Sequence, residues 1–227
     1  MNPPIAFDIA GQHCWLSAER TLFWEEAKTL IISDLHFGKT GHFRKSGIPI
    51  PQSVYKEDLQ RLFQQIQYFQ PQEIIITGDL FHSRENQEHD WFARWRSDIP
   101  GIRMHLVKGN HDSLNNRVYE NLNLVVHERE YFCNPFRFIH DPAMIQDEVE
   151  GFYTFTGHIH PGIRISGVGK QSLSFPCFYF SDSFAILPAF SKFTGYIVVE
   201  AAKNDRVFAI VKGDVRRKEM CSIIQIQ

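Results

Sequence analysis

The sequence predicts two β-sheets packed face to face with helices outside, an α/β (α+β) fold built as one domain over residues 1–227. Three observations carry that prediction. Residues 30–32 (Leu-Ile-Ile) and 74–76 (Ile-Ile-Ile) are short apolar runs, the mark of strands buried on both faces as in parallel sheets, and 103–107 reads as a third strand. A segment of helical spacing separates the first two, so strand, polar loop, helix and strand alternate as in βαβ units. Past residue 112 the helical spacing gives way to β-formers and turns, which calls for a second sheet against the first. No Pro/Gly/Ser linker, charge block or repeat divides the chain, and a hydrophobic content of 43% suits a sizeable core.

In chain order, residues 5–9 and 12–16 alternate around Gly11 as an N-terminal hairpin, and residues 20–24 make another short strand before 29–33. Residues 37–51, rich in glycine and proline, form a long loop of the kind that often carries function. From 52 to 69 the positions Val54, Leu59, Leu62, Phe63, Ile66 and Phe69 recur at helical spacing, and Pro71 stops the helix. Strands follow at 73–77 and 103–107, with an aromatic helix at 89–97 between them. The β-rich part then reads as strands at 124–127, 131–132, 136–140, 152–156, 163–166, 172–180, 184–187, 196–200 and 206–212. The aromatic run 175–180, with Phe190 and Phe193, reads as core rather than as a base-stacking platform.

Charge and cysteine usage exclude several classes. A formal net charge of −2 offers no overall positive field to nucleic acid or anionic membrane, so a polyanion must be held by local charge or by metal. The N-terminus lacks the basic and apolar regions of a signal peptide, and no apolar run approaches the ~18 residues of a membrane helix. Cys14, Cys133, Cys177 and Cys221 form no Cys-x-x-Cys pair and read as reduced thiols of a cytoplasmic protein.

The strand ends carry the chemistry. Asp34 and His36 follow the first buried strand, where alternation along an extended chain puts both on one side. Asp79 follows the second, Asn110 and His111 the third, and His140, His158 and His160 end strands of the β-rich part. Each group has a bland reading: a turn for Gly78-Asp79, a helix cap for Asn110, a core histidine for His140, a surface hairpin for His158 and His160. Five such coincidences at strand ends are hard to sustain together, and strand carboxyl ends are where sites form in α/β sheets. Two carboxylates, one amide oxygen and four imidazoles exceed the needs of one tetrahedral zinc and suit two ions such as Mn²⁺, Fe²⁺ or Zn²⁺. Two ions roughly 3.5–4 Å apart bridged by a carboxylate are the usual apparatus for hydrolysing phosphate esters.

Asp34-x-His36, Gly78-Asp79, Gly109-Asn110-His111-Asp112, His140 and Gly157-His158-x-His160 together resemble the calcineurin-like metallophosphoesterase signature, complete and in order. The resemblance implies the four-layer fold of that family. It also implies that Asp34, His36, Asp79 and His160 hold one ion while Asp79, Asn110, His140 and His158 hold the other. His111 then matches the family's non-ligand histidine, the proton donor or transition-state stabiliser, with Asp112 as a supporting partner. The stretches 34–51, 78–83, 140–142 and 187–195 further resemble the bacterial DNA ligase-associated metallophosphoesterase branch, with Asp141 and Ser191 as small departures that remove no ligand. That kinship implies a phosphodiesterase or nuclease processing DNA ends in repair, functionally associated with DNA ligase and helicase. The alternatives are a phosphomonoesterase, a small-molecule (nucleotide) phosphodiesterase, and a scaffold that has lost catalysis. The last should lack a ligand or the proton donor, and none is missing.

Lys39, Arg44 and Lys45 lie just after the first ligands, where Arg44 and Lys39 are positioned to grip a flanking phosphate. His82 either faces the site or caps a helix. Arg216, Arg217 and Lys218 read as a solvated turn with DNA contact as the alternative.

Overall fold

The computed structural model of the chain describes residues 2–38, 53–82, 87–145, 149–167, 171–211, 213 and 221–226. Its first sheet opens as an antiparallel meander of β1 (Ile5–Ile9), β2 (Gln12–Ser17), β3 (Thr21–Trp24) and β4 (Thr29–Ile32). Ala10 and Gly11 both take positive φ, 48° and 74°, which lets a two-residue turn follow the strand twist. From β4 the sheet continues in parallel through β5 (Glu73–Thr77), β6 (Arg103–Val107) and β7 (Leu124–His127). Helices α1 (Ser53–Phe69), α2 (Gln87–Ser97) and α3 (Asn116–Asn121) make the crossovers that parallel pairing requires.

The second sheet runs in the order β14-β11-β12-β13-β10-β9-β8, with β15 and β16 added beside β12. Its strands are β8 (Glu130–Cys133), β9 (Phe136–Ile139), β10 (Tyr153–Thr156), β11 (Pro161–Ser166), β12 (Ser172–Phe180), β13 (Phe184–Ile186), β14 (Ile197–Val198), β15 (Arg206–Val211) and β16 (Ser222–Gln225). Pairing is mixed: β9-β10-β13 are parallel and β12 runs against β11, β13 and β15.

Period-two alternation divides the core between two layers. Ile31, Ile75 and Val107 face the second sheet and meet Phe136, Phe138, Phe155 and Phe178. Leu30, Ile32, Ile74, Ile76 and Leu106 point the other way, against Leu62 and Ile66 of α1, Phe92 of α2 and Tyr119 of α3. Strands β4 and β5 are apolar between their terminal residues, and polar groups follow at their ends.

Most predicted elements stand where expected, and Phe178, Phe180 and Phe190 are core. Helix α3 and strand β16 were not foreseen. Six residues are too few to show a helical period, and α3 is held by its cap, where the Asn115 side chain accepts the Arg117 N–H at 3.0 Å. The strand expected over 196–200 shortens to Ile197–Val198, which runs parallel to the start of β11.

Candidate metal centre

Every ligand-type residue foreseen from the sequence sits at the carboxyl end of a parallel strand: Asp34 and His36 after β4, Asp79 after β5, Asn110 after β6, His140 after β9, and His158 and His160 after β10. The two sheets present these ends to each other. Lys39, Arg44 and Lys45, and likewise Arg216 to Lys218, lie outside the described residues.

The convergence is not produced by strand alternation, and here the expectation for Asp34 and His36 needs correction. Both leave the extended region, with φ of 54° and 49°. Asp79, His158 and His160 do the same at 51°, 66° and 52°. Left-handed backbone at a non-glycine residue is costly and persists only where its surroundings enforce it. Hydrogen bonds between the loops do so. Asp34 N–H donates to Gly78 O at 3.1 Å, His36 N–H to Asp79 O at 2.8 Å and Phe37 N–H to Leu80 O at 2.9 Å, which extends the β4–β5 pairing beyond the strands. Gly157 N–H to His140 O, at 2.9 Å, does the same for β9 and β10. The sheets are joined by Phe190 N–H to Ser33 O and Ser191 N–H to Asp34 O. Two buried guanidiniums hold this 189–191 segment: Arg20 donates to Ala189 O and Ser191 O, and Arg61 donates to Phe190 O while lying 4.2 Å over the Phe190 ring.

Close approach explains the motif glycines. A Cβ on Gly157 would collide with Ser33 Oγ and Asp34 Oδ2, and one on Gly109 would collide with the Asp79 carboxylate. Any side chain at either position would push apart two segments that must meet.

The ligand atoms form two groups. Asp34 Oδ1 lies 3.1 Å from His160 Nε2, which lies 3.2 Å from His36 Nε2. On the other side Asn110 Oδ1 lies 3.1 Å from His140 Nε2 and 3.0 Å from His158 Nδ1. Asp79 stands between them. Its Oδ1 accepts the His111 N–H at 2.9 Å, leaving Oδ2 at 3.9 Å from His36 Nε2 and 3.4 Å from His140 Nε2. Asp34, His36 and His160, and separately Asp79, His140 and His158, are thus clustered closely enough to hold a metal ion. The donor chemistry fits a cation: His140 Nδ1 donates to Thr77 O at 3.0 Å, so in the neutral ring Nε2 presents a lone pair to other acceptors.

Electrostatics tell the same story. Burial raises the Asp79 carboxyl, but the hydrogen bond and charge of His140, the His111 N–H and His36 outweigh it and bring it to about 2. Burial lowers His140, but Asp79 and the Asp34 charge raise it to about 9. The same negative field would favour a bound cation.

A model of the calcineurin-like phosphoesterase family matches residues 27–204. The chain belongs to this family. The matched span contains all seven ligand-type residues and His111. Among solved structures, the Pseudomonas putida nuclease MPE superposes with a TM-score of 0.76, covering 91% of this chain and 96% of that one at 24% identity. At that identity the likeness speaks for the fold. No curated protein matches the chain. Among the described residues, no helix is long and apolar enough to cross a membrane.

Around the core of this phosphoesterase site lie residues whose placement the sequence left open. His111 Nε2 is 3.9 Å from Asp79 Oδ2, and its side chain is 38% exposed where those of Asp34, His36, Asp79 and His140 are at most 4%. His82 faces the site rather than capping a helix: its ring centroid is 4.5 Å from that of His111 and 5.6 Å from that of His36. Asp112 turns its buried carboxylate to backbone amides, those of Gly109 (3.0 Å), Phe81 (3.2 Å) and Leu80 (3.4 Å). It ties the loop carrying Asn110 to the loop carrying Asp79. Burial raises its carboxyl to about 6 despite those three donors. No spacing rule could have shown the link to the Asp79 loop, because the Phe81 and Leu80 amides lie 31 and 32 residues away.

Proposed function

We propose that this phosphoesterase is a two-metal phosphodiesterase acting on nucleic acid. Asp34, His36, Asp79 and His160 would hold one ion, and Asp79, Asn110, His140 and His158 the other. The observation that carries the reading is the position of Asp79, one carboxylate oxygen facing both ligand groups while the other is fixed by the His111 amide. Bound ions supply positive charge that polarises the phosphoryl oxygens and the attacking water. Manganese suits this mixed oxygen and imidazole set, with Fe²⁺ or Zn²⁺ as the other choices.

The chain's own residues then divide the work. Asp79 and Asp34 would offset the charge of bound ions. His111, outside both ligand groups and open to solvent, donates a proton to the departing oxygen. Lys39 and Arg44 pair with flanking phosphates. A place in DNA repair beside a ligase or helicase rests on the branch motifs in the sequence. The second reading, a nucleotide phosphodiesterase or phosphomonoesterase, is favoured by the net charge of −2, which gives no field for a long polyanion.

The test is a substrate panel with Mn²⁺: bis(p-nitrophenyl) phosphate, p-nitrophenyl phosphate, a cyclic nucleotide, single-stranded DNA and nicked duplex. Hydrolysis of the synthetic diester and of DNA supports the proposal. Diester hydrolysis with intact DNA retires the nucleic-acid reading and leaves the two-metal diesterase. Hydrolysis of the monoester alone overturns both.

A further inference from the structure

We propose that the face of β11 and β12 beside His160 is a nucleotide-binding subsite, on which Tyr196 stacks a base of a single strand and Arg164 pairs with a neighbouring phosphate. This deepens the nucleic-acid reading above and rests on it. The segment before β14 is anchored to a proposed ligand, since Ile197 N–H donates to His160 O at 3.0 Å and Val199 N–H to Gly162 O at 2.8 Å. That places Tyr196 immediately beside the metal-ligand loop. A Cβ on Gly162 would collide with Cδ2 of Tyr196, so the ring lies against the strand on the side to which residue 162 would point its side chain. Side chains alternate along β11, and directly paired residues of an antiparallel partner share a face. Arg164 and its partner Ser174, and Ser166 with Ser172, are therefore on the same face as the ring. Arg164 is exposed.

The ring is also fixed before anything binds. Tyr196 Oη donates to Ser174 O at 2.6 Å, so the aromatic plane is held at both ends, by the glycine backbone and by the carbonyl. Even so, Tyr196 remains 39% exposed. A core tyrosine would be covered, and a solvated one would not need a glycine cut into the strand beneath it. A rigid aromatic surface, a guanidinium about two residues along the strand and three serines make the combination that holds single-stranded nucleic acid without reading sequence: stacking for the base, charge and hydroxyls for the backbone. The site needs no positive field over the whole protein, in keeping with the net charge of −2.

The experiment compares Tyr196→Ala, Tyr196→Trp and Arg164→Ala with the unaltered full chain, Mn²⁺-loaded, on a short single-stranded oligonucleotide and on bis(p-nitrophenyl) phosphate. Tyr196→Ala is expected to raise KM for the oligonucleotide about tenfold with little change in kcat, the scale of one lost base stack. Its loss of kcat/KM on the oligonucleotide should exceed that on the small diester at least fivefold, and Tyr196→Trp should restore it. Arg164→Ala should flatten the salt dependence of oligonucleotide KM by roughly one phosphate contact. Equal losses on both substrates, or no change of KM in either variant, overturn the subsite. If Tyr196→Ala melts well below the unaltered protein, Tyr196→Trp and the surface change Arg164→Ala decide alone. Failure of the unaltered protein to cleave any oligonucleotide while it hydrolyses the diester is a failure of the nucleic-acid reading, a separate result.

Discussion

His140 Nε2 stands 3.2 Å from His158 Nδ1, and both nitrogens face Asn110 Oδ1. Because Thr77 O takes the proton on His140 Nδ1, a neutral His140 can only offer a lone pair to this group. Such an arrangement repels itself unless a proton or a metal ion sits inside it, and four consequences can be measured.

In the metal-free protein a proton can do that work, on His140 Nε2 or, in the tautomer protonated at Nδ1, on His158. The folded value of His140, about 9, lies above the ordinary 6.5, so its contribution is fully present below pH 6.5 and is lost as pH rises through 9. Asp79, at about 2, contributes above its ordinary 3.8 and loses that contribution as pH falls toward 2. Metal must displace the His140 proton, so Mn²⁺ affinity should strengthen from pH 6 toward pH 9 with release of a proton. At neutral pH, Mn²⁺ at about 100 times its Kd should add ~2.7 kcal/mol, raising Tm by roughly 5–10 °C over an EDTA-treated sample. Titration calorimetry in buffers of different ionisation enthalpy checks the proton, and calorimetric melting checks the rest.

Asp79→Asn should remove the carboxylate that serves both groups. Turnover of bis(p-nitrophenyl) phosphate is expected to fall at least roughly a thousandfold. Metal content measured by elemental analysis should fall below two ions per chain. Near-normal activity would end the two-metal assignment.

His111→Ala should separate chemistry from metal binding. Its side chain is 38% exposed while Asp34, His36, Asp79 and His140 are buried. A loss of roughly 10²–10⁴-fold in kcat with metal content unchanged is the expected result. Metal loss in this variant would make His111 a ligand.

Asp112→Asn should loosen the site without touching a proposed ligand. An amide offers its NH₂ to at least one of the Gly109, Phe81 and Leu80 N–H groups that now donate to a carboxylate. Metal affinity is expected to weaken roughly 10–100-fold, with kcat at saturating Mn²⁺ reduced far less. An unchanged affinity would show that backbone pairing alone sets the distance between the Asp79 and Asn110 loops.

The strands were legible because a chain buried on both faces must be apolar at every position, as at 30–32 and 74–76. The proposed ligands were legible because carboxylate, amide and imidazole groups follow one strand end after another, at 34–36, 79, 110, 140 and 158–160. Less could be read where partners are backbone groups or distant side chains. The Arg20 and Arg61 clamps on the 189–191 segment reach 169 and 129 residues along the chain, and no local pattern records such a reach.

By itself, then, the sequence determined the sheet layers and the family, and it named the candidate ligands, because those are recorded in periodicity, motif and residue type. Tertiary structure decided how the ligands meet. Asp34, His36, Asp79, His158 and His160 converge through left-handed backbone that loop-to-loop hydrogen bonds sustain. It also turned His82 toward His111, aimed Asp112 at backbone amides and laid Tyr196 over Gly162. The first two join the loops that follow β5 and β6, and the third joins β11 to the segment before β14, so each exists only once those neighbouring segments have been brought side by side.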